Sequence, residues 1–258
     1  MENIIKHINK ISRYCNNSIV IFSDLFQMII KYNLKSKDID FFLKEILNIL
    51  DYKKRTIIMP TFIQLNKKRS KINLNIEKSS TGILSEKFRQ LKYTERTLSP
   101  LFSYAVCGPQ KKKFLKLNPK FEWGVGSHLE WMEKQNSTFL LIGNHPTNCT
   151  YVHRIEWRNR KLIKFREKKI YKNIIIKNSK KITHKQFFLS RKMSFPIIED
   201  HTRLLKIFKK NNFSITKINS IPISYYNAKD LDFVYGPIFK KDPYYCIKNR
   251  SKVKRFYG

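Results

Sequence analysis

Ser137-Thr138-Phe139-Leu140-Leu141-Ile142-Gly143-Asn144-His145-Pro146-Thr147-Asn148-Cys149-Thr150-Tyr151-Val152-His153-Arg154-Ile155-Glu156 is the stretch on which the reading of this chain turns. Its first six residues form a short, largely apolar run of the length of a buried strand, and Gly143 closes it. The residues after Gly143 are dense in His, Asn, Thr and Cys. A strand-to-helix turn is where backbone N–H groups and polar side chains are presented to ligands. His153 and Glu156 are three apart, which on a helix puts them on one face. A carboxylate hydrogen-bonded to one imidazole nitrogen fixes the tautomer and raises the basicity of the other, as a general base requires. The same spacing also occurs in ordinary surface helix pairs.

Two other chemistries fit the same residues. His145, Cys149 and His153 are spaced by four, as metal ligands on one helix face would be. Pro146 interrupts the single helix that would align them, and no metal is expected. Cys149 near His153 also has the composition of a thiolate nucleophile with its base. Free cysteines more commonly serve as small buried hydrophobes.

Working outward, Ser18–Phe22 is predicted as a buried strand, followed by a helix from Asp24 with Asp24 as its N-cap. Ser36-Lys37-Asp38 opens a helix whose Ile39, Phe42, Leu43, Ile46, Leu47 and Leu50 recur at helical spacing. Arg55–Met59 is a second strand stopped by Pro60, Lys67–Asn75 a basic loop, and Ser127 the start of a helix through Leu129, Trp131 and Met132. This alternation points to an α/β sheet with ligand-binding turns at its strand ends. The second half is less regular. Short strands are expected at Leu162–Phe165 and Tyr171–Ile176 and a helix over Glu199–Lys209. Further strands are expected around Phe213–Ile223 and Leu231–Tyr235, and a frayed basic end over Asn249–Gly258.

The chain has 258 residues, 53 Lys and Arg against 19 Asp and Glu, and a formal charge of +34. Its length suits one domain, here with a first lobe of about 15–156, a second of about 157–248 and the tail 249–258. Hydrophobic residues at 41% and aromatics at 14% supply a core and exclude a disordered chain. Cys15, Cys107, Cys149 and Cys246 are scattered without a CxxC pair, so neither a disulfide framework nor a zinc finger is indicated. No apolar h-region opens the sequence, no stretch is long enough to span a bilayer and no lipidation box is visible, so a cytoplasmic location is expected. Lysine outnumbers arginine and is spread along the chain with Asn and Ile, the mixture that A/T-rich coding produces. Whatever its origin, the field favours anionic ligands. A nucleic-acid-binding protein using Arg158–Lys192 is the rival from another class, although the zinc, RNP and recognition-helix signatures are lacking.

A second cluster comprises Gly82-Ile-Leu-Ser-Glu86-Lys-Phe-Arg89, Glu95-Arg96-Thr97-Leu98-Ser99-Pro100, Ser103 and Cys107-Gly108-Pro109. Arg96 beside a turn with hydroxyl residues has the chemistry to hold a phosphate or the amides of a pantetheine arm. An ordinary loop-to-helix transition has the same composition.

Together these pieces resemble the antibiotic N-acetyltransferase family, known for aminoglycoside 3-N-acetyltransferases. The resemblance is an ordered set over roughly residues 15 to 248. It runs from Ser23-Asp24-Leu25 after the first strand to Met59-Pro60-Thr61-Phe62 ending the second. Gly82, Glu86 and Arg89 come next, then Arg96, Pro100 and Ser103 leading to Gly108, and Gly126-Ser127 before a helix. Leu141-x-Gly143 precedes Thr150-x-x-His153-x-x-Glu156, and Asp242-Pro243 lies near the end.

The resemblance implies an antibiotic N-acetyltransferase-like α/β fold, distinct from GNAT enzymes, with a central mixed sheet flanked by helices. It implies acetyl-CoA as co-substrate and direct transfer. His153 then matches the catalytic histidine and Glu156 its carboxylate partner, while Ser23, Thr61, Arg96, Ser103 and Gly108 line the coenzyme side. Many members carry a histidine before the early serine, where this chain has Phe22. Aminoglycosides are polycations, which a charge of +34 repels, whereas CoA and nucleotide-sugars are polyanions. The expected acceptor is therefore an amino or hydroxyl sugar, nucleotide-linked or destined for a surface polysaccharide, with an aminoglycoside as the alternative. The oligomeric state stays open, a homodimer included.

Overall fold

The computed structural model describes residues 1–64, 71–200, 202–211 and 213–258. Seven of its strands form a mixed sheet. At its centre β1 (Ser18–Ser23) lies parallel to both β2 (Thr56–Pro60) and β6 (Thr138–Ile142). Every residue of these three strands is buried. Side chains alternate across a strand, so both faces of the centre are covered and the sequences read as unbroken apolar runs. Val20, Phe22, Ile58, Phe139 and Leu141 enter one core; Ile19, Ile21, Ile57, Met59, Leu140 and Ile142 enter the other.

Helices cover the second core. α1 (Glu2–Ser12), which sequence patterning did not single out, buries Ile4, Ile8 and Ile11 at helical spacing. α3 (Ser36–Ile49) buries Ile39, Phe42, Leu43, Ile46 and Leu47 as expected, and Asp38 caps it by accepting from Lys35 N–H at 2.7 Å. The expected helix at Asp24 is α2 (Phe26–Tyr32), two residues later; its N-cap is Leu25 rather than Asp24, whose carboxylate accepts from Phe26 N–H at 3.1 Å in the turn before it. The strand near residue 55 runs one residue past its expected stop and includes Pro60. Part of the expected loop at Lys67–Asn75 lies outside the described residues, and its end forms β3 (Lys71–Asn73).

α4 (Ile83–Arg89) leads to β4 (Glu95–Arg96) and β5 (Tyr104–Cys107), which extend the sheet antiparallel beyond β2. α5 (Lys111–Leu115) comes next. α6 (His128–Lys134) is capped by Ser127 Oγ, which accepts from Glu130 N–H at 3.1 Å. α7 (Val152–Arg158) lies beyond the turn after β6.

The second half departs from expectation in several places. Leu162–Phe165 is not a strand, and Tyr171–Ile176 lies inside β7 (Arg166–Lys177), which pairs along its whole length with β8 (Lys180–Arg191). Asn178 and Ser179 both take positive φ, the two-residue turn whose twist matches such a hairpin. After α8 (Thr202–Lys210), Phe213–Ile223 is not one strand but most of a second hairpin. Its strands, β9 (Ser214–Ile218) and β10 (Ile221–Asn227), turn at Asn219-Ser220. Leu231–Tyr235 is helical. It belongs to α9 (Ala228–Lys241), started by a capping box in which Asp230 accepts from Asn227 N–H at 2.9 Å. Leu231, Val234 and Tyr235 then recur at helical spacing on its buried side. The basic end forms α10 (Arg250–Tyr257), docked through buried Val253. Sheet order is β4-β5-β2-β1-β6-β10-β9, with β3-β7-β8 as a second sheet. Among the described residues, no helix is long and apolar enough to cross a membrane.

Candidate functional site

The carboxyl ends of β1, β2 and β6 point the same way because the three strands are parallel, and the turns there converge. Gly143 holds them together. Its φ is +75°, and a Cβ on it would stand 1.8 Å from the carbonyl oxygen of Asp24, so only glycine lets the turn after β6 touch the turn after β1. A cleft of about 510 Å³ opens between these turns, lined by Ser23, Asp24, Phe62, Thr81, Gly82 and Asn148 among others. Among the described residues, Asp24 is its one acidic lining residue. Ser23 Oγ is buried on its wall without a hydrogen-bond partner among the described residues, which leaves an unfilled polar position beside the cleft.

The turn beyond Gly143 ends in α7. There His153 Nδ1 sits 2.7 Å from Glu156 Oε2, as the three-residue spacing predicts. Glu156 is 5% exposed, and its other oxygen accepts from Arg166 Nη2 at 2.9 Å and Nε at 3.2 Å. Burial alone would raise the pKa of this carboxyl. The Arg166 guanidinium and the His153 hydrogen bond outweigh it and pull the value down to about 2, so the carboxylate stays charged. His153 also stacks on Trp123, with ring centroids 4.2 Å apart and planes 11° apart. Arg154 Nη1 donates to the Trp123 carbonyl at 3.2 Å, and its Nε and Nη2 donate to Glu133 and Glu130 of α6 at 2.6 and 3.0 Å. The imidazole is therefore held by a carboxylate at its edge and an indole on its face, and 24% of the side chain is exposed. His153 does not line the cleft. Thr150 does, and its carbonyl accepts from His153 N–H at 3.1 Å, so cleft and dyad adjoin.

The other singled-out residues separate into three places. Ser23 is on the cleft wall. Thr61, Arg96 and Ser103 come together just behind it: Arg96 Nε donates to Thr61 Oγ1 at 3.2 Å and to Ser103 Oγ at 3.1 Å. Its Nη1 donates to the Glu77 carbonyl at 2.7 Å, and Nη2 to the Thr61 carbonyl. Ser103 Oγ also donates to the Thr61 carbonyl, and Arg96 is only 5% exposed, so these groups bond one another and the loops around them. Gly108 lies at the opposite end of the sheet. It comes just after Cys107, which pairs with Ile57 at the start of β2, and a Cβ there would stand 2.2 Å from the Arg55 carbonyl. Its φ of +98° and that contact are what require glycine. Glu86 accepts from Ser79 N–H at 2.7 Å and from Arg89 Nε at 2.9 Å, clamping the loop that leads to Gly82.

Cys149 is 5% exposed, and burial pushes its thiol up to about 12, unlike an activated thiolate. His145 Nδ1 pairs with Thr147 Oγ1 at 2.7 Å and His153 Nδ1 with Glu156, so those ring nitrogens face protein partners. Sequence reading missed Trp123 and Arg166. Trp123 beside Gly124 ahead of the Gly126-Ser127 turn was a visible signal; Arg166 was indistinguishable within a basic run.

A family model described as aminoglycoside 3-N-acetyltransferase matches residues 52–232, the span that holds the second strand, the cleft turns after β2 and β6, and the dyad. The chain is an acetyltransferase of this family. Its fold is that of the family and not of GNAT enzymes. Solved structures agree. YokD from Bacillus subtilis is 16% identical, with 91% of this chain and 98% of that one covered and a TM-score of 0.67. A sisomicin-bound AAC-VIa is 12% identical, covering 93% and 97%, with a TM-score of 0.72. AAC-IIIb in binary complex with CoASH is 13% identical, covering 92% and 96%, with a TM-score of 0.71. No curated protein sequence matches this chain.

Proposed function

We propose that this family member transfers an acetyl group from acetyl-CoA to an amino or hydroxyl group of a sugar. The acceptor is nucleotide-linked or part of a surface polysaccharide rather than an aminoglycoside. The observation that carries the chemistry is the His153–Glu156 pair, its carboxylate kept charged by Arg166. His153 takes the acceptor's proton at the ring nitrogen opposite Nδ1 as the acceptor attacks the thioester carbonyl; Glu156 stabilises the resulting imidazolium, which returns the proton to the CoA thiolate when the carbon–sulfur bond breaks. A backbone N–H of the neighbouring turns supplies the oxyanion donor, since the Ser103 hydroxyl proton is spent on the Thr61 carbonyl.

Coenzyme binding is assigned to the cleft. Its unfilled Ser23 hydroxyl and the small residues Thr81 and Gly82 suit an amide-bearing pantetheine arm. Thr61, Arg96 and Ser103 hold the cleft's rear wall in this reading, and Gly108 supports the fold from the far end of the sheet. The overall charge of +34 favours anionic substrates, while the cleft lining itself, among the described residues, carries one carboxylate and no cation.

The aminoglycoside reading has its support in the family itself, one relative of which is the sisomicin-bound AAC-VIa. Both are tested by following CoA thiol release with free amino sugars, nucleotide-linked sugars and sisomicin as acceptors. Turnover confined to sisomicin would overturn the proposed acceptor. Turnover unchanged in His153→Ala would overturn the proposed base.

A further inference from the structure

One turn along α7 from His153, a second pocket of about 550 Å³ is lined by Phe121, Trp157, Lys120, Arg160, Arg154 and Val125. Four residues separate Trp157 from His153, so both side chains point to the same side of the helix. The floor of the pocket is aromatic. Phe121 and Trp157 have ring centroids 4.7 Å apart, and they close around Gly124, whose added Cβ would stand 3.0 Å from Phe121 Cβ and 3.2 Å from Trp157 Cε2. Any side chain at residue 124 would push this pair apart.

The charges at the rim divide into two kinds. Arg154 and Arg158 are neutralised by Glu130, Glu133 and Asp232. Lys120 and Arg160 have no carboxylate partner among the described residues; the Arg160 guanidinium lies over the Trp157 ring, 4.5 Å from its centroid, and its Nη1 donates to the Trp157 carbonyl at 3.0 Å, so a bound base would take the guanidinium's place on that ring face. Among the described residues, no acidic side chain lines the pocket. Partly exposed rings beside unpaired cations match a planar base joined to a pyrophosphate: stacking is tolerant of base identity, and cations on a low-dielectric aromatic surface attract phosphate strongly. The volume is in the range of small-ligand sites.

We infer that this pocket binds a nucleoside diphosphate, with the base against Trp157 and Phe121 and the phosphates at Lys120 and Arg160. A sugar carried on that diphosphate would then extend along α7 toward His153. This rests on the acetyltransferase reading above and names its substrate class. A nucleoside diphosphate can come from two sources, the acceptor or the coenzyme's own adenosine diphosphate, and the test separates them.

Calorimetric titration of the full chain with uridine diphosphate, adenosine diphosphate and inorganic pyrophosphate, at fixed moderate salt, provides the first arm. Nucleoside diphosphates are expected to bind more tightly than pyrophosphate. Lys120→Ala and Arg160→Ala, both at exposed positions, are expected to weaken them about tenfold each, the loss of one charge-assisted contact. Uridine diphosphate binding that survives saturating acetyl-CoA supports the acceptor as source; mutual exclusion assigns the pocket to the coenzyme and overturns the acceptor assignment. Binding no tighter than that of pyrophosphate, or unchanged in both variants, overturns the site. Acetylation of free amino sugars by a protein that fails this titration would sink the pocket and leave the transferase reading standing. Nucleotide binding here with no acceptor acetylated would do the reverse.

Discussion

Glu156 divides its two oxygens between a base and a cation: Oε2 lies 2.7 Å from His153 Nδ1, and Oε1 lies 2.9 Å from Arg166 Nη2. The carboxylate thereby links α7 to the start of the long β7–β8 hairpin. Orienting the imidazole and anchoring the hairpin are the work of one side chain.

Replacing His153 with alanine removes the proposed base while leaving the cleft intact. The rate of CoA thiol release is expected to fall by about 10² to 10⁴, the usual worth of a general base. Acetyl-CoA affinity, read by calorimetry, is expected to stay within a few-fold.

Glu156 makes stability fall in acid. Its pKa in the fold is about 2, below the ordinary 4.5, so its contribution is full above pH 4.5 and is lost as pH falls from there toward 2. Glu156→Gln leaves the buried Arg166 without its main partner, and a loss of about 3–5 kcal/mol is expected at pH 7. Denaturant melts of both proteins at pH 7 and pH 3 check this: the gap between them should narrow in acid.

Glu122 behaves in the opposite sense. It is 2% exposed, and burial pushes its carboxyl up to about 7, against hydrogen bonds from Gln186 and Ser99 that lower it. Between pH 4.5 and 7 the folded chain therefore binds more protons here than the unfolded chain, and this contribution weakens as pH rises. Glu122→Gln keeps the shape without the charge. Its melting temperature relative to wild type is expected to rise from pH 5 to pH 8; a constant difference would contradict the assignment.

Cys149→Ala is expected to keep turnover within a few-fold, because its buried thiol, at about 12, supplies almost no thiolate at neutral pH. Initial-rate patterns in both substrates should intersect. Parallel lines, or an acetylated Cys149 found by mass spectrometry, would instead establish a covalent route.

Gly143→Ala places a methyl group within 1.8 Å of the Asp24 carbonyl at a left-handed φ. Either the cleft's two turns separate or the chain fails to fold, and a loss of at least about 2 kcal/mol is expected. A melt indistinguishable from wild type would show that the turns do not meet.

Several parts of this architecture were legible in the chain. The strands at Ser18, Arg55 and Thr138 and the helices at Ser36 and Ser127 arise from apolar runs and caps, which act over a few residues. Leu231–Tyr235 misled because its apolar density resembles a strand; the helix there is set by the capping box at Asn227 and Asp230 and by packing in the main core. The placement of Ser103 and Arg96 on the coenzyme side is what the family resemblance implies; their composition fits an ordinary loop equally well. Their mutual hydrogen bonds depend on β4 and β5 folding beside β2, a long-range event.

The pairing of His153 with Glu156 was determined by the sequence itself, since 3.6 residues per turn put positions three apart on one face wherever that segment is helical. What surrounds the pair was decided only by tertiary structure. Trp123 comes from a loop held against β8, where Glu122 N–H donates to the Phe187 carbonyl at 2.9 Å, and Arg166 comes from the start of the hairpin beyond α7. A basic run offers many arginines and lysines of equal standing. Only the fold decides which one is buried beside a carboxylate, because burial makes an unpaired charge costly and leaves that one pairing favourable.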